Sequence, residues 1–238
     1  MIKKEMAFDI RFNHPCNVLL IGPSQSGKST FLEKLLKWRL ELFRNAPRKV
    51  LYVCPTRSPQ IETMMKQGLI HRVIKTLPRS YEEFEKVILP YKNEGALVCI
   101  DDGLSQLESY LPKVFEQFTS KNNTTVIFVS QTAFLDSSNF RRLSENTHYA
   151  ICLRNKRNPS KIRTLAMQAD PCNYKIIISA YQDATKPKSL VKSEENSGFA
   201  YGYFIFNFSL TSPEVLNYIS NIFPNEIEPV TLYVVNKK

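Results

Sequence analysis

Long apolar runs are missing from this chain: no segment approaches the roughly 18 consecutive apolar residues of a membrane-crossing helix, and the opening MIKKEMAFDIRF holds no apolar stretch of signal-peptide length. Both absences argue against a membrane-embedded or secreted protein, and the expected place of work is inside a cell or virion. Paired cysteines are missing as well. Cys16, Cys54, Cys99, Cys152 and Cys172 show no C-x-x-C spacing, and three of them fall in apolar runs that read as strands. Reduced core residues are therefore expected. Tryptophan occurs once, at Trp38, in a helical segment where core packing is a better reading than a base-stacking platform. There is no internal repeat and no linker that divides the chain into comparable halves. One domain over 1–238 is expected, with a core over about 15–183 and a C-terminal extension over about 184–238.

What is present supports a sizeable core: 238 residues, 43% of them hydrophobic. A formal net charge of +10 suits a polyanionic partner such as DNA or RNA, the alternative being a solvated basic surface. Apolar runs of strand length, rich in Val, Ile and Tyr, occur at 17–22, 49–54, 96–101, 125–130 and 149–153. Between them, helical spacing runs over Thr30 to Arg44, Tyr81 to Leu89, Leu107 to Phe118 and Ser138 to Asn146. This alternation predicts an α/β fold, a mostly parallel doubly wound sheet with helices on both faces. The tail reads as a helix at 160–169, a polar loop TKPKSLVKSEENSG at 185–198, a strand at 201–208, a short helical pattern at 213–223 and a small strand at 230–235.

Residues 22 to 29, GPSQSGKS, match the G-x-x-x-x-G-K-[ST] loop of P-loop nucleoside triphosphatases, preceded by an apolar strand and followed by a helix. In such a loop Gly22 and Gly27 let the backbone turn so that amides point at phosphates, and the helix dipole adds positive potential. Pro23, Ser24, Gln25, Ser26 and Thr30 complete the expected ATP cradle. Lys28 is expected to reach the β- and γ-phosphates and the Ser29 hydroxyl to ligate Mg²⁺. In LVCIDDG an apolar strand delivers Asp101 at its carboxyl end, where α/β sheets bind ligands. Asp101 reads as a Mg²⁺ residue acting through water, and Asp102 as the carboxylate that orients and deprotonates the attacking water. The same two acids would also favour the first turn of a following helix. In TVIFVSQT a third strand ends on Gln131, whose amide can sense γ-phosphate and hold the lytic water.

The combination of GPSQSGKSTFLEKLL, LVCIDDG and TTVIFVSQTAF with FRRLSENTHYAICLRNKRNPSKIRTLAMQADP resembles the FtsK–HerA class of DNA-pumping ATPases. Within that class it is most similar to viral genome-packaging ATPases of the Maverick/Polinton, adintovirus and poxvirus-like lineage. The resemblance runs from about residue 15 to the GFAYGYFIFNFSLTSPEVLNYISNIFP segment. The SQTAF, LSENTHY and RNKRNPSKI stretches carry its selectivity, since the phosphate-loop motifs occur in many ATPases. The chain departs from the family pattern in having Ser120, Lys121, Asn122 where members often carry G-R-H, and Asn155, Lys156, Arg157, Asn158 where they tend to carry N-P-R-D.

The resemblance implies a homo-oligomeric ring that couples ATP hydrolysis to movement of double-stranded DNA into a capsid, at a host-cell site of virion assembly or in a virion, with a capsid or portal protein as a further partner and no membrane. It also implies an arginine supplied by a neighbouring subunit. Arg141 and Arg157 rank first for that role, Arg142 after them. Surface ion pairs or DNA contacts explain any one of these equally well. Arg154, Lys156, Arg157, Lys161 and Arg163 form a basic cluster able to grip phosphates without reading bases. Rival readings are a replication helicase or partitioning ATPase, a P-loop kinase, and a nucleotide-gated scaffold.

Overall fold

The computed structural model describes residues 8–55, 58–76, 78–101, 109–131, 138–156, 159–187 and 202–235. Its strands are β1 (Phe12–Asn13), β2 (Asn17–Ile21), β3 (Phe43–Arg44), β4 (Lys49–Val53), β5 (Arg72–Ile74), β6 (Ala96–Asp101), β7 (Thr124–Ser130), β8 (Tyr149–Leu153), β9 (Tyr203–Asn207), β10 (Tyr218–Ser220) and β11 (Thr231–Leu232). Among the described residues β1 and β3 form a small parallel pair, and the rest form one nine-stranded sheet in the order β11-β10-β9-β8-β2-β7-β6-β4-β5. The six strands from β8 to β5 are parallel, and β9, β10 and β11 each run antiparallel to the neighbour they extend from. The sheet is thus α/β and mostly parallel, and its antiparallel edge comes from the segment after residue 184.

The central strands β2, β7 and β8 are buried along their whole length, as strands covered on both faces must be. Alternation then splits their side chains between two cores. Val18 and Leu20 of β2 pack with Phe31, Leu32, Leu35 and Leu36 of α1 (Lys28–Lys37) and with Ile61 and Met64 of α2 (Pro59–Lys66). Leu19 and Ile21 pack on the opposite face. There they meet Phe84 and Ile88 of α3 (Tyr81–Ile88), Phe115 and Phe118 of a π-helical segment (Val114–Phe118), Leu143 of α4 (Ser138–Glu145), Ile162 and Leu165 of α5 (Pro159–Ala169), and Ile177 and Tyr181 of α6 (Tyr174–Ala184). A doubly wound arrangement is the consequence, as the alternating pattern predicts.

Differences from the sequence reading are local. The helix expected over Thr30 to Arg44 stops at Lys37; a further short helix (Arg39–Leu42) follows, and Phe43 and Arg44 turn extended to pair with β1. The helix expected to Phe118 continues through the π-helical turn to Thr119–Lys121, and the part of it over 107 and 108 lies outside the described residues. Over 213–223 the helical pattern gives only a 3-10 turn, Glu214–Leu216, before β10, whose three residues are all buried. Edge strand β5 and helix α6 carry no expectation in the sequence reading. The polar stretch at 185–198 lies, from residue 188 on, outside the described residues. Cys16, Cys54, Cys99 and Cys152 are buried free thiols as expected, whereas Cys172 is exposed. Trp38 packs against the α1-side core. Among the described residues no helix is long and apolar enough to cross a membrane.

Candidate active site

Chain order places β4, β5, β6 and β7 on one side of β2 and then returns across it to β8. This reversal is a topological switch point, and ligands of open α/β sheets bind outside the carboxyl ends of the strands there. The 22–27 loop leaves β2 at that point. Its Gly22 amide donates to the Ser130 carbonyl at 3.1 Å, so the start of the loop is fastened to the end of β7. A Cβ on Gly22 would lie 2.4 Å from Ser26 Oγ and 2.9 Å from Leu153 Cβ, so the position is reserved for glycine by space. Gln25 and Gly27 both adopt left-handed backbone, with φ of 64° and 94°, which folds the loop back on itself before α1 begins.

At its N-terminus α1 has no side-chain cap and no acid in its first turn. Uncapped amides at a helix start, facing a turn of left-handed residues, make an electropositive receptor for an anion. The Lys28 ammonium lies over the same loop, donating to the Gly22 carbonyl at 2.7 Å and the Pro23 carbonyl at 3.0 Å. Ser29, next along the helix, is exposed, while Ser26 is buried and Thr30 half-buried.

Strand β7 lies between the phosphate-loop strand β2 and the acid-bearing strand β6, in register so that Ile21 opposes Ser130 and Asp101 opposes Val129. Gln131 therefore emerges between the loop and Asp101. It is exposed, and its side-chain carbonyl accepts from Ser24 Oγ at 3.4 Å. Asp101 shares a sheet face with Leu97 and Cys99, which pack in the α1-side core, so its carboxylate is on the same side of the sheet as α1. The Tyr52 hydroxyl donates to Asp101 Oδ2 at 2.7 Å. Burial, followed by the neighbouring Asp101 charge, pushes the Tyr52 phenol well above its ordinary pKa, so it remains a donor. The same two causes push up the Cys99 thiol, which is chemically quiet beside the acid.

Among the described residues, no group of three or more His, Cys, Asp or Glu side chains converges to hold a metal by itself. Among the described residues, the donors that this edge of the sheet carries include the Ser29 hydroxyl and the Asp101 carboxylate. That set fits Mg²⁺, which keeps several waters and takes its remaining ligands from phosphate oxygens. The space-limited glycine and the uncapped α1 N-terminus likewise fit a nucleotide polyphosphate.

No family model and no curated protein matches the chain. Among solved structures it is similar to the cytoplasmic domain of the Thermomonospora curvata type VII secretion ATPase EccC, at 14% identity and a TM-score of 0.40, over 57% of this chain and 20% of that one. EccC ATPases 2 and 3 from the same organism, in complex with a signal sequence peptide, give 11% identity and a TM-score of 0.39 over 58% and 29%. The chain thus spans less than a third of either EccC structure. The genome-packaging NTPase B204 from Sulfolobus turreted icosahedral virus 2, in complex with ATP-gammaS, gives 12% identity and a TM-score of 0.44 over 81% of this chain and 92% of that one.

Among the other expected site residues, Asp102 and Arg157 lie outside the described residues. Arg141 is exposed on α4. Arg142 is engaged within the chain, its guanidinium donating to both Glu116 oxygens at 3.0 and 2.8 Å. The basic cluster divides. Arg154 is half-buried in a turn that the Tyr181 hydroxyl pins, accepting from the Asn155 amide at 2.9 Å and donating to the Leu153 carbonyl at 3.0 Å. Lys156 and Arg163 are exposed, and the Arg163 guanidinium sits 5.4 Å from the Tyr174 ring centroid. Motif reading passes over Tyr52, the partner of Asp101, because it sits mid-strand in KVLYVC with no motif of its own.

Proposed function

We propose that the chain is a Mg²⁺-dependent ATPase whose hydrolysis drives movement of double-stranded DNA, in the manner of a viral genome-packaging motor. The observation that carries the ATPase reading is the adjacency of three strand ends: the 22–29 loop after β2, Gln131 after β7 and Asp101 at the end of β6. A phosphate cradle, a polar sensor and a metal carboxylate side by side are the parts that ATP hydrolysis requires.

In this reading the loop amides and Lys28 would hold the β- and γ-phosphates, and Ser29 and Asp101 would hold a Mg²⁺ that supplies charge neutralisation when bound. Gln131 orients a water in line with the γ-phosphorus. Asp102 accepts the proton as the water oxygen bonds to phosphorus and the bond to the ADP oxygen breaks, giving ADP and inorganic phosphate. An arginine from a neighbouring subunit of a ring, Arg141 or Arg157, stabilises the charge of the transferring group. The DNA substrate, the ring and the capsid setting rest on the SQTAF, LSENTHY and RNKRNPSKI stretches, supported by the net charge of +10.

The test is steady-state ATP hydrolysis with and without linear double-stranded DNA over a range of protein concentrations, for the wild type and Asp102→Asn. The expected result is DNA stimulation that rises steeply with concentration and disappears in the variant. Hydrolysis indifferent to both DNA and concentration refutes the motor, and unwinding of a forked duplex moves the reading to a helicase.

A further inference from the structure

We propose that Tyr52 is a positioning residue for the metal–nucleotide site: its phenol fixes the Asp101 carboxylate in the orientation that receives hydrated Mg²⁺. The inference rests on the reading of the chain as a Mg²⁺-dependent nucleotide-binding protein, and extends it to a residue on a strand that carries no nucleotide motif.

Strands β4 and β6 are parallel neighbours in a register that opposes Tyr52 to Cys99. Asp101 is therefore two residues further along the same face, one diagonal step from Tyr52, within reach of a long aromatic side chain. The ring is only 1% exposed and lies in the α1-side core. A phenol buried among apolar groups must find an acceptor, and this one has the carboxylate oxygen at 2.7 Å. Because the ring is buried in the α1-side core, the hydroxyl is held in place. A short charge-assisted hydrogen bond from a donor so held restricts rotation of the Asp101 carboxylate about its side-chain bonds.

Carboxylates that meet metals are held by outer partners in this way, and loss of such a partner typically costs about 10–100-fold in metal affinity or activity. A purely structural role for Tyr52 would require only that its hydroxyl be satisfied, and then removal of the hydroxyl would change stability without changing the metal requirement.

The experiment measures binding and not turnover. Binding of ATPγS to the full chain is followed without metal and then across a Mn²⁺ titration, for wild type, Tyr52→Phe, Asp101→Asn and the double variant. Tyr52→Phe is expected to keep the metal-free affinity for ATPγS and to need about tenfold more Mn²⁺ for half-saturation. The double variant should need no more Mn²⁺ than Asp101→Asn alone, because the hydroxyl acts through that carboxylate. Wild-type Mn²⁺ dependence in Tyr52→Phe overturns the proposal, whatever happens to its melting temperature. Should that variant not fold, a fluorotyrosine at position 52 reports the contact without removing it. Its fluorine resonance should move when Mn²⁺ is replaced by diamagnetic Mg²⁺ in the ATPγS complex and also when Mg²⁺ is added to the metal-free complex; an unmoved resonance on Mg²⁺ addition overturns the proposal. A wild-type chain that binds no ATPγS, with or without metal, overturns the parent reading and this inference with it, and differs visibly from failure of Tyr52 alone.

Discussion

Replacing Gly22 by alanine tests the phosphate loop at its most confined atom. The added Cβ would sit 2.4 Å from Ser26 Oγ, 2.9 Å from Leu153 Cβ and 3.3 Å from Ser26 Cβ. The serine hydroxyl can rotate away, but Leu153 Cβ is anchored on the fully buried strand β8 and can retreat only if the strand or the loop moves. Overpacking of that kind costs about 1–3 kcal/mol, and in a chain of this size 1 kcal/mol lowers Tm by about 2–4 °C. A drop of roughly 2–12 °C is therefore expected. The loop is the softer partner, and its displacement should also blunt nucleotide binding. In the wild type, ATP at 100 times its Kd should add about 2.7 kcal/mol of stability, while Gly22→Ala should gain far less. Differential scanning fluorimetry with and without Mg²⁺–ATP reads both effects. Adding Ser26→Gly to Gly22→Ala removes both serine contacts and leaves Leu153, so the double variant should recover part of the loss and not all of it. The reasoning is refuted if Gly22→Ala melts with the wild type and keeps its full nucleotide shift.

The three histidines give a pH dependence with a definite sign. His71 Nδ1 accepts from the Val50 amide and His148 Nδ1 from the Asn17 amide, each at 3.0 Å, and His14 Nδ1 lies 2.8 Å from Thr125 Oγ1. Burial lowers all three below the usual imidazole value, helped at His71 by Lys49 and Arg39 and opposed at His14 by the Asn123 hydrogen bond. The unfolded chain therefore binds more protons below about pH 6.5, and stability should hold above pH 7 and decline as pH falls through 6.5. Urea midpoints that stay flat from pH 7.5 to about 5.5 would contradict this. Asn17, fully buried, donates through Nδ2 to the Phe115 carbonyl at 2.7 Å and the Asn146 carbonyl at 2.8 Å, tying β2 to the π-helical turn and the end of α4. Asn17→Leu should cost about 1–3 kcal/mol or more in chemical denaturation, and a neutral result would show that those carbonyls are satisfied otherwise. On α4, Arg141→Ala should lower DNA-stimulated turnover by about 10³-fold or more if it is the residue acting across subunits. Arg142→Ala breaks only an exposed pair with Glu116 and should cost no more than about 1 kcal/mol with turnover kept, so the reverse pattern would exchange their roles.

The strands were legible because central parallel strands are mostly apolar: NVLLI, TTVIFVS and YAICL are each buried at every position, and their boundaries fall within a residue of the apolar runs. Edge elements were not. In β5, RVI, only Ile74 is fully buried while Val73 packs partly buried on the opposite face, and three residues give no periodicity to read. The 213–223 segment has helical spacing yet yields β10, because Tyr218 and Ile219 pair with Phe206 and Ile205 and pairing overrides spacing in so short a piece.

The site divides along the same physical line. Gly22, Gly27 and Lys28 stand out in the sequence as candidates because the G-x-x-x-x-G-K-[ST] pattern is local: its residues are contiguous, and their spacing is the signal. Asp101 and Gln131 could be read because each ends an apolar run, although only the sheet order shows that their strands are neighbours. Tyr52 belongs to the site solely through the β4–β6 register, which opposes it to Cys99 and so puts its hydroxyl on Asp101. A one-residue slip of that register would turn Tyr52 toward the other core and take the hydrogen bond with it. The orientation of the acid is therefore a property of strand pairing, and its determinants extend to residues that hold β4 and β6 in step. One of these is the Gly95 carbonyl at the start of β6, which accepts from the Arg48 and Lys49 amides at 3.1 Å each. Gly95 adopts a φ of 74°, and a Cβ there would come within 3.1 Å of the His14 ring. Gly95→Ala should thus disturb the start of the β4–β6 ladder at the far end of the sheet and raise the Mn²⁺ requirement in the direction of Tyr52→Phe. An unchanged Mn²⁺ titration in a folded Gly95→Ala chain would show that the register is set by the core residues of the two strands and not by their entry turn.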